Sequence, residues 1–236
     1  KFPKFLIDVA GKPMIQWVLD ALSGSSLIDQ VILIGLPPSA EIHCKHNFIS
    51  LEDQPNMLLN VRYASKYLLE SGVKSELALL VAADIPAITS EMIDWTIQTV
   101  QQTDHDLYYS LIERSAMEKR FPGSNRSFYH LRDIEICGGD LNAVNINAMV
   151  KENPIWDKLI AARKNAFKQT AIVGLDTLFL FLIRWFDIHR AGPWASKRLG
   201  LRAHTFIDMH PETAMDVDKP HQLEIIRADL CGQSAQ

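Results

Sequence analysis

The sequence has little cysteine and no excess of positive charge. Its three cysteines, Cys44, Cys137 and Cys231, are far apart and form no CxxC pair, so neither a disulfide framework nor a zinc site is indicated and we expect a reducing, cytoplasmic setting. Lys and Arg number 24 against 28 Asp and Glu, which gives a net charge of −4. No basic stripe recurs with interleaved aromatic residues. We therefore expect small-molecule partners and no nucleic acid.

The sequence also lacks recognisable targeting and membrane-spanning segments. No pattern of a secretory signal follows Lys1. The most apolar run, residues 171–188, is interrupted by Asp176 and Arg184, whereas a spanning helix needs about 20 residues with few or no charges. We predict a buried or partly buried helix there, with a membrane-surface helix as the alternative.

Helical and strand-like segments alternate along the chain. Hydrophobic side chains make up 47% of the 236 residues, enough for one substantial core. The alternation predicts a three-layer α/β/α domain over residues 1–236 with a mainly parallel central sheet. A helical insertion is expected around residues 151–200. The periodicity predicts helices over 11–24, 57–72, the segment after Thr89 and 221–230, and strands over 29–36, 76–86, 106–112 and 202–209.

The hydrophobic segment LALLVAADIPAIT, residues 77–89, leads to a carboxylate. We expect its strand to be buried on both faces in the centre of the sheet, with Asp84 as the first residue to emerge. Ligands of open α/β sheets bind at the carboxyl ends of the strands. Pro86 restricts Ile85 to extended geometry, which would orient the carboxylate. A turn capped by Asp84 before the proline is the structural alternative.

A second acidic motif, AMDVDKPHQLE, places Asp216 and Asp218 in alternation before Pro220. A cap for the closing helix is its structural alternative. Two carboxylates from distant loops can hold Mg²⁺, which keeps several waters and accepts its remaining oxygens from phosphates. Asp84 and this acidic motif together therefore predict a Mg²⁺ site, with Mn²⁺ as a substitute ion, for phosphoryl or nucleotidyl transfer. We expect Asp216 to support the loop.

Arginines and glycines mark two further stretches. The segment FPGSNRSFYHLRD places Arg120, Arg126 and Arg132 around a predicted loop, and guanidinium groups suit phosphate recognition. Solvated surface charge is the alternative for each of them. The pair Gly138 and Gly139 lies inside a strand-like stretch, which suggests a bulge or a close backbone approach.

Several motifs occur in the order found in the MobA-like nucleotidyltransferases, which are named for the molybdenum cofactor guanylyltransferase. They are PK-x-L-x-x-V-x-GKPMI-x-WVL-x-AL, ADIPAIT, FPGSNRSFYHL, GGDLNAVN and DVDKPHQLE. The resemblance covers nearly the whole chain, and the PK…GKPM and DVDKP motifs are moderately specific. FPGS-x-R and GG-x-L resemble those of a subgroup that usually has GGN where this chain has Asp140. A carboxylate there could add a metal ligand or repel a phosphate.

The resemblance implies a Rossmann-like, GT-A-type fold, an NTP substrate, Mg²⁺ and release of pyrophosphate when an acceptor attacks the α-phosphorus. It implies that Lys4 neutralises phosphate charge and that Asp84 and Asp218 bind the metal. The family begins with a strand and a glycine-rich phosphate loop, roughly LAGG-x-G-x-R, and neither precedes Lys1. The resemblance places the nucleotide near Lys4, Lys12, Asn60 and Ala83, and the acceptor near Arg120, Arg126, Gly138, Gly139 and Asp140.

Two other functions compete with nucleotidyl transfer. A GT-A glycosyltransferase uses the same kind of sheet and metal with a nucleotide sugar, but usually has a DxD motif at the end of a central strand. This chain has ADIP there, and its DVD lies near the C-terminus, which favours nucleotidyl transfer. A non-catalytic nucleotide-binding relative that has lost its phosphate loop is the other alternative.

Overall fold

A computed structural model describes residues 3–156 and 188–233, which form a mixed α/β fold. The described helices are α1 Met14–Gly24, α2 Met57–Glu70, α3 Ser90–Val100, α4 Arg114–Arg120, α5 Ile146–Val150, α6 Ile188–Leu199 and α7 Pro220–Gln233, with 3-10 turns at Lys4–Leu6 and Pro211–Ala214. The strands are β1 Asp8–Val9, β2 Lys12–Pro13, β3 Gln30–Ile34, β4 Asn47–Leu51, β5 Leu77–Val81, β6 Leu107–Glu113, β7 Tyr129–His130, β8 Glu135–Gly138, β9 Leu141–Asn145 and β10 Ala203–Ile207. The elements predicted by periodicity therefore form, within a few residues of their predicted bounds.

The main sheet is largely antiparallel, so the prediction of a mainly parallel sheet was wrong. Its six strands run in the order β5-β9-β6-β8-β7, with β10 beside β6. Among these pairs, only β10 with β6 is parallel. After α4 the chain returns along β6 in the opposite direction, so that β8 and β9 both run antiparallel to β6, and β9 also pairs antiparallel with β5. A short turn joins β7 to β8 and makes that pair antiparallel as well.

A kink divides the returning segment into β8 and β9. Tyr109, opposite the kink, leaves no room for a side chain at Gly138, and Ser110 leaves none at Gly139. The amide of Ser110 donates instead to the side-chain Oδ1 of Asn142, 2.9 Å away, which replaces a main-chain partner. The close backbone approach predicted at the glycine pair is confirmed.

β3 and β4 form a separate, parallel two-stranded sheet. Within the described residues, β3 pairs with β4 alone and β5 pairs with β9 alone. A cavity of about 530 Å³ lies between β3 and β5, lined largely by aliphatic side chains of these strands, α1 and α2. This cavity explains why every residue of β5 is half-buried, whereas the sequence predicted a strand buried on both faces.

The core around the end of β5 comes from α1 and α3. Val18 and Leu19 of α1 and Ile93 of α3 pack in one cluster with Ile85, which is completely buried. Burying such side chains stabilises the fold by about 1.5–3 kcal/mol each and fixes the loop that carries Asp84.

None of the helices within 3–156 and 188–233 combines the length and apolarity needed to cross a bilayer. The helix predicted over 171–188 lies almost entirely outside the described residues. Most of the insertion predicted around 151–200 does so as well, and α6 is the described helix within that range.

Candidate active site

Main-chain hydrogen bonds join three loops at the carboxyl end of β5. The amide of Ala82 donates to the carbonyl of Asp140 at 3.0 Å, and the amide of Asp140 donates to the carbonyl of Thr213 at 2.7 Å. The amide of Val217 donates to the carbonyl of Asp84 at 3.0 Å. Because these bonds do not depend on side chains, the backbone itself brings the two acidic motifs together.

Three carboxylates meet where these loops join. Ligand oxygens of Asp84, Asp216 and Asp218 all lie within 4.8 Å of one another. Carboxylate oxygens are hard ligands, which suit Mg²⁺ or Mn²⁺. The residues present therefore fit the cation expected from the sequence, and Asp216, for which a loop-supporting role was expected, offers a third oxygen.

Lys4 lies between two of these carboxylates. Its Nζ is 2.5 Å from Oδ2 of Asp84 and 2.6 Å from Oδ1 of Asp218. Burial lowers the pKa of Lys4, but the hydrogen bonds to Asp218 and Asp84 outweigh it and raise the pKa above its ordinary value. The hydrogen bond from Lys4 also lowers the pKa of Asp218. The structure thus brings together the three residues predicted to be catalytic.

Arg126 lies on the opposite side of the cluster. Its guanidinium forms an ion pair with Asp216, and its Nη2 is 3.7 Å from Oδ2 of Asp140 and 3.4 Å from the carbonyl oxygen of Gly138. Burial raises the pKa of Asp140 to about 6; Arg126 opposes this shift, and the charges of Asp84 and Asp218 add to it. The predicted acceptor residues Arg126, Gly138 and Asp140 are therefore neighbours.

Arg120 and Lys12, by contrast, have other partners. Nε of Arg120 donates to Glu212 at 2.6 Å, and its two terminal nitrogens donate to Asp229 at 2.6 and 2.8 Å. Lys12 forms an ion pair with Asp20 on α1, with its Nζ 3.7 Å from the ring centroid of Trp17. Both cations link elements of the fold, so their predicted substrate contacts receive no support from the geometry.

Two predicted nucleotide-binding residues, Asn60 and Ala83, line the cavity between β3 and β5. Nδ2 of Asn60 donates to Asp53 at 2.8 Å, and its Oδ1 accepts from the amide of Gln54 at 2.7 Å. Asn60 therefore holds the loop between β4 and α2 in place. Ala83 directly precedes Asp84 at the end of the cavity nearest the carboxylates.

Sequence reasoning missed Gln222. Its Oε1 accepts from the amides of Asp218 and Lys219, both at 2.9 Å, and its Nε2 donates to the carbonyl of Ser124 at 3.2 Å. This buried side chain caps α7 from within the helix and joins the DVDKP loop to the FPGS loop. A glutamine near the start of a predicted helix, just after an acidic motif, was the sequence signal that could have identified it as a helix cap.

The sequence model of the MobA-like NTP transferase domain matches residues 1–135. The chain belongs to this family. The matched region contains Lys4, Asp84 and Arg126, while Asp216 and Asp218 lie beyond it. No curated protein sequence matches the chain.

Solved structures agree with the family. A hypothetical transferase from Thermus thermophilus is 26% identical, with a TM-score of 0.77 over 93% of this chain and 90% of that one. A CMP:2-keto-3-deoxy-manno-octonic acid synthetase complexed with CTP has 16% identity and a TM-score of 0.57, covering 98% and 92%. A 2-C-methyl-D-erythritol 4-phosphate cytidylyltransferase, also from Thermus thermophilus, has 13% identity and a TM-score of 0.54, covering 96% and 92%. The last two likenesses show the shared fold.

Proposed function

We propose that this MobA-like protein transfers NMP from an NTP to a small phosphorylated or hydroxylated acceptor and releases pyrophosphate. One observation carries the proposal: Asp84, Asp216 and Asp218 converge within 4.8 Å at the end of β5, with the ammonium of Lys4 on two of them. Family membership and the fold shared with two cytidylyl-transferring enzymes support the same reaction.

In this reaction an acceptor oxygen forms a bond to the α-phosphorus, and the bond between the α-phosphorus and the bridging oxygen to the β-phosphate breaks. The acceptor's proton leaves to solvent or a basic oxygen, and pyrophosphate carries the electron pair away. Charge spreads over the phosphate oxygens in the transition state, so positioned cations contribute most of the rate and no protein nucleophile is required. We assign this task to Lys4.

The three aspartates would hold Mg²⁺ or Mn²⁺. A bound divalent cation neutralises phosphate charge and orients the phosphates. The protein's own part is to orient the carboxylates, and Gln222 and the main-chain bond from Val217 to Asp84 do so in the described structure.

Arg126, Gly138, Gly139 and Asp140 form the proposed acceptor side. The side chain of Arg126 is only 15% exposed and contacts Asp140 and Asp216. An acceptor group would therefore contact only the exposed part of this side chain, at the edge of the cluster. The carbonyl oxygens of Gly138 and Gly139 accept hydrogen bonds from Arg126 and Asn142, so the glycine pair helps to hold Arg126 in place. Arg120 is not part of the proposed acceptor side, because its guanidinium donates hydrogen bonds to Glu212 and Asp229.

The test is pyrophosphate release by the full chain with each of the four NTPs, Mg²⁺ and a panel of phosphorylated and hydroxylated acceptors. We expect release that requires one NTP and one acceptor class and that EDTA abolishes. A parallel panel of nucleotide sugars covers glycosyl transfer. Turnover of a nucleotide sugar, or the absence of pyrophosphate from every NTP and acceptor pair, would overturn the proposal.

A further inference from the structure

The ammonium of Lys4 is held by two of the carboxylates that a divalent cation would need. It lies 2.5 Å from Oδ2 of Asp84 and 2.6 Å from Oδ1 of Asp218. A Mg²⁺ ion would lie about 2.0–2.1 Å from oxygens of the same carboxylates, and two cations this close together repel each other. The lysine is therefore a competitor of the metal as well as a candidate phosphate ligand.

The third carboxylate of the cluster also has a cationic partner. Asp216 is paired with Arg126, which is held in turn by Asp140 and the carbonyl of Gly138. Lys4 and Arg126 thus already offset much of the negative charge of the three aspartates and of Asp140. A divalent cation that entered without displacing a protein cation would meet carboxylates whose charge is partly neutralised, which weakens its binding.

Of the two cations, Lys4 is the one able to leave. Its side chain is 41% exposed, against 15% for Arg126. It lies on a 3-10 turn of three residues, and its charge sits on a flexible four-carbon stem. Asp218, one of its partners, is 59% exposed. Water or a phosphate group can therefore replace the carboxylates as partners of the ammonium without unfolding a neighbouring element.

We propose that Lys4 occupies the cation site of the free protein and gives way to the metal only when nucleotide phosphates offer its ammonium another partner. This inference rests on the proposed function and specifies its order: the divalent cation binds weakly alone and enters together with the NTP. The same side chain then has two states, one that closes the metal site and one that neutralises phosphate.

The experiment measures Mn²⁺ binding to the full chain without nucleotide, from the electron paramagnetic resonance signal of free Mn²⁺. Lys4→Met should bind Mn²⁺ about tenfold more tightly than the parent. A nearby opposite charge changes the proton affinity of a carboxylate by about ten- to thousandfold. We expect the low end of this range for the metal because the pair is partly exposed. Lys4→Gln serves as a second variant of the same change. Lys12→Met is the matched control, since it removes a lysine paired with Asp20, and its Mn²⁺ affinity should stay at the parental value.

Two further measurements locate the ion and test the role of the nucleotide. Lys4→Met/Asp84→Asn should lose the gain in Mn²⁺ affinity. α,β-Methylene analogues of the NTPs should tighten Mn²⁺ binding to the parent more than to Lys4→Met. Equal Mn²⁺ affinity of Lys4→Met and the parent, or a gain that survives Asp84→Asn, would overturn the inference. If Lys4→Met gains Mn²⁺ affinity but the parent turns over no NTP in the pyrophosphate assay, the proposed function is wrong. The competition between Lys4 and the metal would still hold.

Discussion

At the scale of single residues, the carboxylate cluster makes the sharpest prediction. Asp84→Asn and Asp218→Asn should each lower kcat by about 10²-fold or more, the scale of losing a principal electrostatic contact to the transition state. Their melting temperatures should stay near that of the parent, because ion pairs of partly exposed groups contribute little stability. Steady-state kinetics and thermal unfolding check both expectations.

The double variant and a matched control complete this test. Since both aspartates would act on one ion under the proposed function, Asp84→Asn/Asp218→Asn should be little worse than either single variant. Asp20→Asn removes a carboxylate that is paired with Lys12 outside the cluster, and kcat should not change. Parental turnover by Asp84→Asn would show that Asp84 is a structural turn residue.

Asp140 predicts a dependence of stability on pH. Its pKa is raised in the folded protein from 3.8 to about 6, first of all by burial. Between these two pKa values the folded state holds more protons than the unfolded state, so this group makes the free energy of unfolding fall as the pH rises. The stability of the parent relative to Asp140→Asn should therefore decrease from pH 4 to pH 6 and level off above. Urea unfolding in EDTA measures it, and a constant difference across this range would contradict the shift.

At the scale of elements, a side chain of β6 packs against the glycine pair at the kink between β8 and β9. A Cβ at Gly138 would overlap the hydroxyl of Tyr109 and lie 3.1 Å from its ring Cζ. Gly138→Ala should lower the free energy of unfolding by about 1 kcal/mol, the low end of the cost of overpacking, because Tyr109 is 43% exposed and its hydroxyl end can move aside. Adding Tyr109→Phe should recover part of this loss, because the hydroxyl is removed while the ring remains.

The control for this pair is Gly232→Ala. Gly232 lies in α7, and a Cβ added there would have nothing within 4 Å, so alanine at this position should keep or raise the melting temperature. Thermal unfolding of the single and double variants is sufficient. If Tyr109→Phe gave Gly138→Ala no recovery, the contact with Tyr109 would not be what limits position 138.

At the scale of the whole molecule, Arg120 joins parts of the chain that are far apart in sequence. It lies at the end of α4 and binds Glu212 in the second 3-10 turn and Asp229 in α7. The side chains of these partners are only 10% and 18% exposed. Removing the arginine takes its positive charge away from two largely buried carboxylates, which is costly.

Arg120→Met should therefore lower the free energy of unfolding by about 2–3 kcal/mol, somewhat less than for a fully buried pair, and leave the acceptor KM unchanged. Urea unfolding and kinetics with saturating NTP separate the two effects. Arg132→Met, at an exposed arginine, should alter neither. A raised acceptor KM at parental stability would restore the acceptor role that the sequence suggested for Arg120.

Local patterns in the sequence were enough to predict the elements, the family and part of the candidate site. Periodicity of 3.6 or 2 residues is a local property, so α1, α2, α3 and the segments of β3, β5 and β6 could be predicted from it. Lys4, Asp84 and Asp218 could be found because their motifs have a recognisable order and two of them stand next to predicted elements. Gly138 and Gly139 indicated a close approach, since glycine in a strand is unfavourable unless space requires it.

How the strands pair and which charges meet could be seen only from the three-dimensional fold. An apolar strand has the same pattern in a parallel and an antiparallel sheet, so direction depends on distant partners such as β9 beside β5. Arg120 and Arg126 look alike in sequence, yet one binds Glu212 and Asp229 while the other faces Asp140 and Asp216. The partner of a long charged side chain is set by whichever loop the backbone brings within reach, and that is fixed by long-range pairing rather than by neighbouring residues.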